Sequence, residues 1–112
     1  MIEQDRYTYR VTWSEEDEEY LGLCAEFPSL SWLADTPEGT LHGIRQVVAD
    51  IVMDLKVNNE VVPEPIAMRK YSGKFLLRIP PEAHRQLAIE AAESGISLNR
   101  LASSRISQRV AA

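Results

Sequence analysis

Gly73-Lys74-Phe75-Leu76-Leu77-Arg78-Ile79-Pro80-Pro81 reads as a short strand that stops at a double proline. A strand repeats every two residues, so Phe75, Leu77 and Ile79 share one face and Lys74, Leu76 and Arg78 the other. The first face needs an apolar partner, and the second, partly basic, suits a polyanion. Two helices are expected downstream. Glu82 lies in the first turn of one, where Ala83, Leu87 and Ala91 recur at helical spacing with Ala88 and Ala92 beside them. Gly95 supplies the left-handed residue that ends this helix, and Ile96 the apolar contact that accompanies it. Ser97 caps the second helix, whose apolar side is Leu98, Leu101, Ala102, Ile106 and Val110.

A strand followed by two short helices does not fold alone. The strand leaves unpaired N–H and C=O groups along both edges. The helices bury too little apolar area to offset chain entropy. A two-fold dimer resolves both problems: the strands pair antiparallel and four helices pack beneath the ribbon. A two-stranded ribbon fits the DNA major groove. Its outer face would carry Lys74, Leu76 and Arg78 from each chain. Lys and Arg donate to guanine O6 and N7, whereas Leu76 can only touch a thymine methyl or exclude water. The helix start at Ser97 suits a backbone phosphate. The plainer alternative is a dimerisation ribbon whose outer face is merely solvated.

Upstream, Tyr7-Thr8-Tyr9-Arg10-Val11-Thr12-Trp13 alternates as a half-buried strand does. Ser14-Glu15-Glu16-Asp17-Glu18-Glu19 is too charged for a core and reads as a hairpin loop, either simply solvated or facing a basic partner. Tyr20–Ala25 is a second strand, Phe27-Pro28-Ser29 a turn, and Leu30–Ala34 a third strand. Asp35-Thr36-Pro37-Glu38 starts a helix: Asp35 or Thr36 caps it, Pro37 suits its first turn and Glu38 complements its positive end. Leu41, Ile44, Val47, Val48, Ile51, Val52 and Leu55 then form one helical stripe, to be laid across the sheet, and Asn58-Asn59 ends it. The prolines in Val61–Met68 keep that segment extended, as a short edge strand and then a linker. The expected class is α+β. A βββα(β) domain over 1–68 is followed by a strand-helix-helix domain over 69–112 that forms an intertwined dimer.

Charge divides the same way. Residues 1–70 carry fourteen Asp or Glu and six Lys or Arg, a net charge of −8; residues 71–112 carry three Glu and six Lys or Arg, a net charge of +3. The acidic half suits a basic protein and the basic half suits phosphates. Cys24, the single cysteine, has no disulfide partner in the chain and reads as a small core residue in a reducing compartment. No apolar run reaches the roughly 18 residues of a membrane span, and the polar N-terminus does not resemble a secretory signal. His42 and His84 have no ligand spacing with Cys24, and the first two strands present no interior carboxylate, so neither a metal site nor a metal-dependent nuclease is expected. No phosphate-binding glycine loop and no nucleophile elbow occur. Catalytic residues and cofactors are therefore not expected.

The stretch 73–84 and Gly95-Ile96-Ser97-Leu98-Asn99 together resemble a ribbon-helix-helix module of the HicB antitoxin family. Ala25-Glu26-Phe27-Pro28-Ser29-Leu30 and Asp35–Leu41 are similar to the N-terminal half of the same family. The resemblance implies a degraded, non-catalytic RNase H-like fold in front of a dimeric DNA-binding module. It further implies a small basic HicA-like toxin that cleaves mRNA and whose active site the antitoxin covers. Operator DNA of the chain's own operon would be the second partner, bound for autoregulation. By position, Lys74, Leu76 and Arg78 would read bases, Ser97 would hold a phosphate, and Phe75, Leu77 and Ile79 would form the dimer core. Leu76 departs from the polar residue often found mid-ribbon. A bacterial cytoplasmic location, nucleoid-associated when DNA is bound, and a dimer or dimer of dimers are implied. The family also contains chains with no neighbouring toxin, so a stand-alone regulator or an oligomeric interaction module is the alternative.

Overall fold

The computed structural model describes residues 3–111. The chain divides into two compact units, Met1–Ser72 and Gly73–Ala112.

In the first unit, β1 (Tyr9–Ser14), β2 (Glu19–Cys24) and β3 (Ser31–Ala34) form an antiparallel sheet in the order β1-β2-β3. Ser14 pairs with Glu19, so residues 15–18 are the hairpin loop expected of that acidic run. The loop is tied by its own acids. Trp13 Nε1 donates to Glu15 at 2.6 Å and Ser14 Oγ donates to Asp17 at 2.9 Å. Helix α1 (Pro37–Val57) crosses all three strands. Of the two possible caps, Thr36 acts: its Oγ1 accepts from the Gly39 N–H at 3.0 Å, with Pro37 in the first turn. Asn58 closes the helix, its N–H donating to Asp54 O at 3.1 Å.

The core lies between α1 and one face of the sheet. Ile44, Val48 and Val52 from α1 meet Tyr7, Cys24 and Phe27, with the Tyr7 and Phe27 rings edge to face at 5.2 Å. Two glycines allow the close approach. A Cβ on Gly22 would sit 2.9 Å from Thr40 Cγ2, and one on Gly43 would overlap the Trp32 indole. Helix α1 thus rests on the bare backbone of β2, and Trp32 of β3 lies on the bare backbone of α1.

The segment after α1 departs from expectation. Residues 60–65 form no strand, and Ile66–Met68 is a single 3-10 turn. Nor is the segment a free linker, because its prolines pack onto the core instead of pairing with an edge. Pro65 is fully buried and Val62 packs against the core. Tyr7 donates its hydroxyl to Pro63 O at 2.6 Å. Arg6 reaches Met68 Sδ at 3.6 Å, and Tyr71 donates its hydroxyl to Ile66 O at 3.5 Å. Residues 60–72 thus form a strap tied to the first unit.

In the second unit, α2 (Pro81–Ser94) and α3 (Leu98–Ala111) form a helical hairpin. Gly95 takes φ 69° and ψ 27°, a conformation that disfavours any side chain. The Ile96 N–H reaches back to Ala91 O at 3.1 Å, and Ser97 Oγ accepts from the Arg100 N–H at 3.0 Å. Both helix ends are those expected from the local sequence. The side chain of Val110, expected on the apolar side of α3, lies outside those described.

Candidate nucleic-acid interface

Residues 73–80, the arm, run into α2 at the double proline. The expected strand over 74–79 is not formed: no strand pairing reaches this segment, and every arm residue is exposed. The reason is physical. A strand is defined by its ladder, and the compact unit that holds this segment contains two helices and, among the described residues, no strand for it to pair with. The residues nonetheless remain outside any helix or helical turn and keep their alternating chemistry.

Exposure within the second unit is out of proportion to its apolar content. Among its described side chains only Ala91 is buried. Phe75 is 72 % exposed, Leu77 57 % and Ile79 37 %, while Leu76 is 81 % exposed. A hollow opens between the arm and α3, lined by Phe75 and Leu77 on one side and Ala102 and Ile106 on the other, with Asn99 and Ser103 as polar members. The structure therefore brings two of the three expected dimer-core residues against the expected apolar face of α3. Ile79 does not line that hollow. Lys74, expected on the opposite face of the arm, lines it as well, whereas Leu76 and Arg78 do not. Ser97 stands at the head of α3 with its hydroxyl already used as a cap, which leaves helix-start amides as the polar groups there. Asn99, though part of the Gly95–Asn99 stretch, and Ser103 had no site role in the sequence, because polar residues on a short helix carry no periodic signal.

One further polar centre was missed, and it lies in the first unit. The Glu26 carboxylate accepts the Thr8 N–H at 2.9 Å, the Thr8 hydroxyl at 3.1 Å and the Ile66 N–H at 2.9 Å; Cys24 Sγ lies 3.5 Å away. It thereby ties the entry of β1 to the strap. Burial acts to raise its pKa, but the hydrogen bonds from Ile66 and Thr8 outweigh this and hold it below the ordinary glutamate value. Burial pushes the Cys24 thiol up to about 11 and the Tyr9 phenol up to about 12. Cys24 is an inert core thiol, buried as expected. Among the described residues no three His, Cys, Asp or Glu side chains converge as metal ligands, and no helix is long and apolar enough to cross a membrane.

Residues 58–106 match the model of the HicB family. The match takes in the strap, the arm, α2 and most of α3. It leaves the sheet and the whole of α1 outside. No curated protein and no solved structure matches the chain.

Proposed function

We propose that this chain is a HicB-type antitoxin and autoregulator: a non-enzymatic bacterial cytoplasmic protein that dimerises through its arm and binds operator DNA with the ribbon so formed. The observation that carries the reading is the arm itself. It is eight exposed residues with one apolar and one partly basic face, attached to a helical hairpin with a single buried side chain among those described. Pairing two arms satisfies their backbones and lets Phe75, Leu77 and Ile79 roof four helices in a ribbon-helix-helix dimer, or a dimer of dimers. Lys74, Leu76 and Arg78 then face the major groove, and the start of α3 at Ser97 meets a phosphate. The family match over the arm, α2 and most of α3 supports this assignment.

The first unit would bind the toxin. It carries a net charge of −8, which suits a small basic HicA-like protein and speeds its capture. Its three strands and one covering helix are read as a truncated RNase H-like fold that has kept a scaffold without catalytic carboxylates.

The deciding experiment is a gel shift of the full chain against DNA from upstream of its own gene at physiological salt, alongside sedimentation to establish the dimer. Arg78→Ala and Lys74→Ala should each weaken specific binding by about fivefold or more, as expected for a lost base contact worth about 1–3 kcal/mol. A dimer with no duplex preference would favour the second reading, an oligomeric interaction module, for which the exposed apolar face of the arm is the supporting observation. Specific DNA binding with no basic partner encoded alongside would instead identify a stand-alone regulator.

A further inference from the structure

By the two-residue period Leu76 shares a row with Lys74 and Arg78, and it is the most exposed of the arm's large apolar side chains, at 81 %. Its neighbours Phe75 and Leu77 have a destination in the hollow against α3. By the two-residue period, any pairing that turns Phe75, Leu77 and Ile79 inward turns Leu76 outward. Dimerisation therefore cannot cover it. A side chain with no donor and no acceptor occupies the middle of a row that otherwise hydrogen-bonds.

The base edges of the major groove offer one apolar group, the C5-methyl of thymine. Opposite a G·C pair, Leu76 would strip water from N7, O6 or N4 and return no hydrogen bond, which is a net penalty. Opposite thymine it buries methyl against methyl, which is a gain. The spacing also suits such a readout. Residues two apart on a strand are separated by about 6.6 Å, close to two base-pair steps of about 3.4 Å.

Resting on the DNA-binding reading above, we infer that Leu76 is a specificity residue. It selects a thymine, read through its methyl group, about two base pairs from each base contacted by Lys74 and Arg78. The charged residues set where the ribbon binds, and Leu76 rejects G·C pairs between them.

The test selects duplexes from a random pool with the full-length dimer, then replaces each recurring thymine by deoxyuridine, which removes only the methyl. A replacement in one half-site should weaken wild-type binding about fourfold, the equivalent of one buried methyl, and a replacement in both about fifteenfold. Leu76→Ala, verified as a dimer by sedimentation, should lose that sensitivity while still binding through Lys74 and Arg78. A G·C pair enriched at the intervening position overturns the inference but leaves DNA binding intact. Wild-type affinity indifferent to every deoxyuridine has the same consequence. If no duplex is enriched, the DNA-binding reading itself fails and the inference with it.

Discussion

Replacing Glu26 with glutamine swaps one acceptor oxygen for an NH2 group and leaves the shape of the side chain unchanged. In the wild type, Oε1 serves the Thr8 N–H, while Oε2 serves the Ile66 N–H and the Thr8 hydroxyl. Glutamine has one carbonyl oxygen, so whichever way its amide turns, either Thr8 or Ile66 has a backbone N–H pointing at another donor. A hydrogen bond to a charged group is worth about 1.5–3 kcal/mol, and an orphaned buried donor costs about 1–3 kcal/mol. The site is only half-buried, so water recovers part of this, and the expected loss for the first unit is about 1–2 kcal/mol. The strap should feel it first, because no sheet or helix ladder holds residues 60–65. Urea titration of the full chain should show a lower midpoint. Hydrogen exchange at the Ile66 amide should accelerate by about tenfold, the equivalent of about 1.4 kcal/mol of local opening. Glu64→Gln, at an exposed position on the same strap, serves as the control and should change stability by less than about 0.5 kcal/mol. An unchanged midpoint together with unchanged Ile66 exchange in Glu26→Gln would refute the tie between β1 and the strap.

The same carboxylate sets an acid limit. Its folded pKa lies below the ordinary 4.5, so its contribution is full above that value and is lost as pH falls through the lower folded value; over that acid range wild type should lose stability relative to Glu26→Gln, measured by thermal melts. Gly43→Ala forces a methyl into the Trp32 indole and should cost about 1–3 kcal/mol, with a shift in tryptophan emission that Ala49→Gly, on the same helix, does not reproduce. Leu77→Asp places a charge in the hollow against α3 and should yield a monomer by sedimentation, with specific DNA binding lost and the near-ultraviolet dichroism of the first unit retained. Cys24 should resist thiol reagents at mildly alkaline pH until urea unfolds the first unit, since its thiol is buried and its pKa is pushed up to about 11.

What the sequence by itself determined is what depends on neighbours a few residues away. Thr36-Pro37, Asn58, Gly95 and Ser97 mark helix ends through hydrogen bonds that span three to five residues, so their chemistry is visible in the chain. The acidic hairpin, the stripe of α1 and the two faces of the arm follow from local period and charge in the same way. Tertiary structure alone decided the rest. The fourth strand became a strap because Pro63 and Pro65 found Tyr7 and the core, and because Glu26 found Ile66 forty residues away. Gly22 and Gly43 carry no sign in sequence that Thr40, Ile44 and Trp32 will press against them. The opening stretch shows the boundary most sharply. Its alternation is written in residues 74–79, but a ladder is a relation between two strands, and among the described residues no strand pairs with this segment.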